Sequence, residues 1–331
     1  MSRIRWALQH GAVLATVALL NSGCAVGSAS TSPSSSSPAA PTSSFAATPG
    51  AEQSPGASGR LIALADGVDG GPGLWALDSA SRWTVVAPTL GATGMGRIAQ
   101  GIVIAKGSEV DLRSAADLTK SIGHVSVKWP SVSSGTPIVA LDGSAGGKIA
   151  IVGTDADKPY YALAETDGTT TTLAGAPTQS FTPLVAWLDE TRLLVLSMDN
   201  LEQSRLAVLD SGSHQLNNAQ ALLGVRWFAV SPDRGTIAVA TASAIYVGSA
   251  ATILGASAPQ PIIALGASEV VWDMTLNATG SRLFTLSGTV GADGTVGSIH
   301  EVGYARGSGG WSKVLDAAVP FGRAIAQVYL P

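Results

Sequence analysis

One pattern returns along the chain at intervals of about 45 residues: an apolar stretch, a polar turn, then a second apolar stretch of strand character. It is clearest at Trp227–Thr241 (WFAVSPDRGTIAVAT). It recurs at Val185–Ser197 (VAWLDETRLLVLS), Asp273–Ser287 (DMTLNATGSRLFTLS) and, more loosely, Ile138–Gly153 (IVALDGSAGGKIAIVG). Aligned on the first apolar residue after the turn, the copies fall at Leu61, Ile102, Ile149, Leu193, Ile237 and Leu283, with spacings of 41, 47, 44, 44 and 46. A unit of that length holds four short strands and cannot bury its apolar faces alone, so the units must stack. The expectation is an all-β, six-bladed β-propeller, with seven blades as the alternative. In the fifth unit, Phe228–Val230 would be the inner strand, Ile237–Ala240 the second and Ala244–Val247 the third. Only Ser114–Ile122 and Leu216–Leu223 are compatible with short helices. The folded region opens at Gly59–Leu64, which reads as a second strand. It closes at Ala324–Pro331, which reads as an inner strand. Joining the two in one blade would close the ring and remove an exposed sheet edge.

Composition agrees with many short strands and turns: 46% hydrophobic residues but only 5% aromatic, with 39 Gly and 17 Pro. Charged residues are 13%, Lys and Arg total 19, and the net charge is −4, which argues against a basic nucleic-acid surface. The four histidines, at positions 10, 124, 214 and 300, show no zinc-ligand spacing. No metal and no cofactor is expected.

The N-terminus reads as an address. Arg3 and Arg5 precede an uncharged apolar run, Gly11–Leu20 (GAVLATVALL), and then the small residues Asn21, Ser22 and Gly23 before Cys24, the one cysteine of the chain. This is the layout of a secretory signal, and the run is too short to span a bilayer. Ser22-Gly23-Cys24 resembles the lipobox of bacterial lipoproteins, in which the cysteine receives diacylglycerol and becomes the new N-terminus. Asn21 departs from that pattern, which expects an aliphatic residue there. Cleavage near Val26–Gly27 or Ser28–Ala29, giving a secreted protein, is the alternative. Residues 25–58 are almost entirely Ser, Pro, Ala, Thr and Gly, a composition that cannot offset its ordering entropy. As a coil this segment would span on the order of 30 Å. The domains are therefore a lipoprotein signal peptide (1–23), a lipidated cysteine with a disordered linker (24–58) and a β-propeller (59–331), held at the outer face of the cytoplasmic membrane.

Ser231–Ala240 (SPDRGTIAVA) resembles the WD40-like repeat of the TolB family, which places Ser-Pro-Asp-Gly before an apolar strand. Here Arg234 is inserted before Gly235, and only this copy is close. The resemblance implies the fold and transfers no function, because propellers serve many.

Two groups are candidates for a binding face. Arg226, Trp227, Trp272 and Asp273 are expected where inner strands begin, near the mouth of the central channel, with Arg323 in the equivalent place of the closing unit. The alternative for the tryptophans is packing between blades. Asp155-Ala-Asp157 has a spacing used in calcium loops but lacks the remaining ligands of one. Four long second-to-third-strand loops, Asp66–Gly73, Thr154–Pro159, Met198–Gln203 and Thr289–Gly297, would carry Asp66, Asp69, Asp155, Asp157, Asp199, Glu202 and Asp293 as an acidic rim, or simply as solvated tips. No catalytic set is apparent. Asp233 is expected to form its own turn. The function expected is a binding or scaffold module for an envelope protein, a peptide or a glycan, with the membrane contacted through the lipid. An extracytoplasmic glycan hydrolase or lyase is the alternative.

Overall fold

The computed structural model describes residues 59–330, apart from 69–70, 130–135, 156–157, 166, 178–181, 199–202 and 322–323. Cys24, the linker, Asp69, Asp157, Asp199, Glu202 and Arg323 lie outside the described residues. Within them are six four-stranded antiparallel sheets. The first sheet joins β1 (Arg60–Val68), β2 (Gly71–Leu77) and β3 (Trp83–Pro88) to β24 (Ala324–Leu330) in the order β24-β1-β2-β3. The second holds β4 (Gly94–Ile98), β5 (Gly101–Lys106), β6 (Glu109–Ser114) and β7 (Ser121–Ser126). The third holds β8 (Ile138–Gly143), β9 (Ile149–Asp155), β10 (Lys158–Ala164) and β11 (Thr170–Thr172). The fourth holds β12 (Val185–Trp187), β13 (Arg192–Met198), β14 (Ser204–Asp210) and β15 (Leu216–Leu223). The fifth holds β16 (Trp227–Val230), β17 (Ile237–Ala240), β18 (Ala244–Gly248) and β19 (Ile263–Ala264). The sixth holds β20 (Glu269–Leu276), β21 (Arg282–Val290), β22 (Val296–Gly307) and β23 (Gly310–Ala318).

The inner strands meet in the cycle β24, β4, β8, β12, β16, β20 and back to β24. That cycle makes the six sheets the blades of a propeller. The six aligned repeat residues all sit at the first or second position of a second strand, and all are buried. Second strands read as unbroken apolar runs because each is covered on both faces by neighbouring blades: the burial of β5, β9, β13, β17 and β21 is continuous through four or five residues. The ring closes as the ends of the sequence predict, with Leu61 opposite Tyr329, Ile62 opposite Val328 and Ala63 opposite Gln327.

Inner strands approach one another closely. A Cβ on Gly96 of β4 would lie 1.9 Å from the Leu141 carbonyl oxygen of β8, so only glycine fits there.

Three local expectations are corrected. Leu216–Leu223 is strand β15, not a helix. Its register slips between Arg205–Leu223 and Ala207–Asn218, and this bulge shifts the phase of the strand, so that Leu216, Ala219 and Leu222 fall at a spacing that imitates a helix. Ser114–Ile122 is the end of β6, a turn and the start of β7. The turn is fastened by Asp117, which accepts from Thr119 N (3.0 Å), and by Leu118, whose side chain is buried and whose carbonyl accepts from Arg113 (3.0 Å). The described helix is instead α1 (Ala250–Leu254), capped by the Ser249 side chain on Thr252 N. The long second-to-third-strand loops at 66–73, 154–159 and 289–297 are largely continuations of their strands. Asp66 pairs with Pro72, Asp155 with Lys158 and Val290 with Val296. At residues 292–295 the turn is held by Asp293, which accepts from Thr295 N (3.0 Å).

Candidate functional site

Because neighbouring strands are antiparallel, the start of an inner strand and the end of its second strand lie at one edge of a blade. Arg226 and Trp227 occupy that edge of the fifth blade: Trp227 pairs with Ala240, and Arg226 N donates to Ala240 O (2.8 Å). Asp155, last residue of β9, ends at the same edge of the third blade. Trp272 and Asp273 sit deeper than expected. The strand β20 begins at Glu269, so they are its fourth and fifth residues.

Both tryptophans pack between blades. Trp227 lies against the cluster of Ala238, Ala240, Ile245, Val271 and Met274. Trp272 is the extra residue of a bulge between Val271 and Asp273 and covers Gly288, where a Cβ would be 2.8 Å from its ring. It adjoins the aromatic cluster of Trp75, Trp83, Phe284, Phe321 and Tyr329.

Arg226 is distinct from the other partly buried arginines of known partner. Arg113 pairs with Asp111 at 2.9 Å and Arg234 with Asp142 at 2.8 Å. Among the described residues Arg226 has no acidic partner, and burial alone pulls its pKa below the usual arginine range.

At the opposite edge, where first and second strands are joined, a polar network ties three blades. Arg234, at φ +62° in the turn of the fifth blade, extends its guanidinium to Asp142 Oδ2 (2.8 Å), Trp187 O (2.7 Å) and Gly143 O (2.7 Å). Asp142 also accepts from Trp187 N (2.9 Å), and the buried Trp187 indole donates to Asp142 O (3.0 Å). Arg97 of β4 stands beside this group. Burial lowers its pKa, and the Asp142 charge partly offsets that. The residue inserted into the TolB-like turn is thus the tie across the fourth and third blades. Asp233 forms its own turn by accepting from Gly235 N (3.0 Å), as expected.

A third polar group joins Asp273, expected at the channel mouth, to Glu301 and Gln327, which the sequence did not single out. Asp273 on β20 accepts from Met274 N (2.7 Å) and from the backbone of Gln327 on β24. Glu301 on β22 is wholly buried and accepts from the Gln327 side chain. Glu301 lies in Ile-His-Glu-Val, where no apolar run marks the acid as buried, so the sequence carried no local signal for it. Among the described residues no three acids, histidines or cysteines are grouped to hold a metal.

No family model and no curated protein matches the chain. Solved structures do. One described as TolB from Agrobacterium tumefaciens is 11% identical, with TM-score 0.55 over 82% of this chain and 96% of that one. TolB from Acinetobacter baumannii is 11% identical, with TM-score 0.53 over 83% of this chain and 67% of that one. A Bacteroides caccae protein of unknown function gives 11% and 0.52 over 82% and 98%. At these identities the likeness is one of fold: the chain carries a TolB-like six-bladed propeller.

Proposed function

We propose that this protein is a lipid-anchored, extracytoplasmic binding propeller whose ligand presents an anionic group to Arg226. The observation that carries the binding site is the unpaired Arg226. A partly buried cation is costly without a counter-charge, and among the described residues Arg113 and Arg234 have one while Arg226 does not. A carboxylate from a ligand docking on that edge would supply it. The reading of export and anchoring rests on the basic start, the apolar run and Cys24 in the sequence, and no helix among the described residues is long and apolar enough to cross a membrane. The acid pair does not favour a hydrolase, because both carboxyls of such a pair must reach substrate and Glu301 has no exposed surface.

Calorimetric titration of the full chain with an acidic hexapeptide and with a uronic-acid trisaccharide tests the site. Binding of one of them, weakened about tenfold or more by Arg226→Ala and partly kept by Arg226→Lys, supports the reading. Equal binding by all three proteins, or none, refutes it. Intact mass of membrane-extracted protein tests the anchor. A lipidated N-terminal Cys24, with Cys24→Ala released or unprocessed, is the expected result; cleavage beyond residue 24 contradicts it.

A further inference from the structure

The ring is closed where the sixth blade meets β24, and two acids lie in that seam. Asp273 pairs with Leu286, and Leu286 with Glu301. Directly paired residues of adjacent strands project from one face, so both carboxyls point the same way. That face is packed against the first blade, since Leu286 shares a cluster with Leu61, Ala63 and Tyr329. Gln327 engages both acids: its backbone N–H donates to Asp273 and its side-chain amide to Glu301 Oε2. Two acceptor atoms remain, Glu301 Oε1 and Gln327 Oε1, both buried and both without a hydrogen-bond donor.

Among the described residues no cation answers these acids. Among the described residues, the groups acting on Glu301 are Gln327 and the like charge of Asp273, and those acting on Asp273 are the backbone amides of Met274 and Gln327. The other titratable group on this face of β24 is Tyr329, itself kept protonated by burial. His300, the neighbour of Glu301 in β22, is turned to Asp316 at 2.7 Å, and Lys313 pairs with the same aspartate. Asp142, which bridges inner strands in the same way by accepting Trp187 N, differs in having Arg234 as its counter-charge. A buried acid with no cation and an orphaned oxygen is relieved by a proton, which removes the charge and converts that oxygen into a donor.

We propose that the closing seam is proton-operated: Glu301 and Asp273 are protonated in the tightly closed ring, and their ionisation loosens the hold of β24 on the sixth blade. Burial, and then repulsion from Asp273, pushes Glu301 up to about 8, while burial pushes the partly exposed Asp273 up to about 7. The unfolded values are 4.5 and 3.8. Between roughly pH 4 and 8 the folded chain therefore binds more protons than the unfolded one. The stabilisation is full below about pH 4, falls progressively above it and is gone once pH has passed through 7 to 8.

The test compares full-length wild type, Glu301→Gln and Asp273→Asn from pH 5.5 to 8.5. Chemical denaturation reads global stability, and hydrogen exchange, corrected for intrinsic rate, reads the β24 amides. For wild type the folding equilibrium constant should fall by at least about a hundredfold across this range, the share that Glu301 alone carries, with exchange rising first at Gln327. Glu301→Gln, which keeps the shape without the charge, should flatten much of that slope and retain β24 protection at pH 8.5. An infrared band of protonated carboxyl at pH 6.5, weakened in Glu301→Gln by the loss of the Glu301 component, provides a reading that does not depend on stability; Asp273→Asn gives the same comparison should the glutamine variant not fold. Parallel pH profiles in wild type and both variants, or no protonated carboxyl at pH 6.5, would overturn the proposal. So would restoration of wild-type protection at pH 8.5 by millimolar calcium, which would make the occupant a metal cation.

Discussion

Two arginines in the fifth blade, Arg226 and Arg234, occupy opposite edges and predict opposite behaviour. Arg234 satisfies three acceptors, and its removal would leave the buried Asp142 with Trp187 N as its donor and the nearby Arg97, which makes no ion pair with it, as its counter-charge. Arg234→Ala should cost about 3 kcal/mol in urea denaturation. Arg234→Gly should cost a comparable amount although it relieves the left-handed backbone at that turn. Arg226→Ala removes a partly buried charge that has no acidic partner among the described residues, so its stability should stay within about 0.5 kcal/mol of wild type or rise, while binding at the proposed site is lost. At this scale the sequence showed the oddity but not its purpose. Arg234 stood out as a departure from the TolB-like turn, yet its partners lie 92, 91 and 47 residues away and carry no local mark. Glu301 and Gln327 are likewise 26 residues apart and meet only because the ring closes.

At the scale of elements, what was legible follows from what is buried on both sides. Second strands are enclosed by two blades, so their apolar runs are unbroken and mark the repeat to within a residue, as at Ile149–Asp155 and Ile237–Ala240. Outer strands face solvent on one side and carry bulges, and there periodicity misleads, as in β15. Inner strands depend on close approach rather than on apolar mass. Gly96→Ala should therefore cost about 3 kcal/mol, measured by thermal or urea unfolding, because its methyl group would overlap the Leu141 carbonyl and force β4 away from β8. Gly91→Ala, where an added Cβ meets nothing within 4 Å, isolates the backbone effect, since that residue also has positive φ.

At the scale of the molecule, the ends of the folded region make one blade. A chain ended after residue 323 lacks β24, exposes the edge of β1 and leaves the aromatic cluster around Tyr329 uncovered. It should lose cooperative unfolding, and a peptide spanning 324–331 added in trans should restore part of it. This closure could be anticipated from the character of the two termini; the acids inside the seam could not, because their burial is a property of the ring. The proposed function rests on a different surface, the edge where Arg226 lies. The most direct measurement is quantitative affinity capture from solubilised cell envelopes, using full-length wild type, Arg226→Ala and Arg226→Lys at two salt concentrations. The account predicts one stoichiometric partner with an acidic contact surface, captured by wild type, weakened by salt, retained in part by Arg226→Lys and lost with Arg226→Ala. Capture of the same partner to the same extent by all three proteins, or of no stoichiometric partner by any, would contradict it.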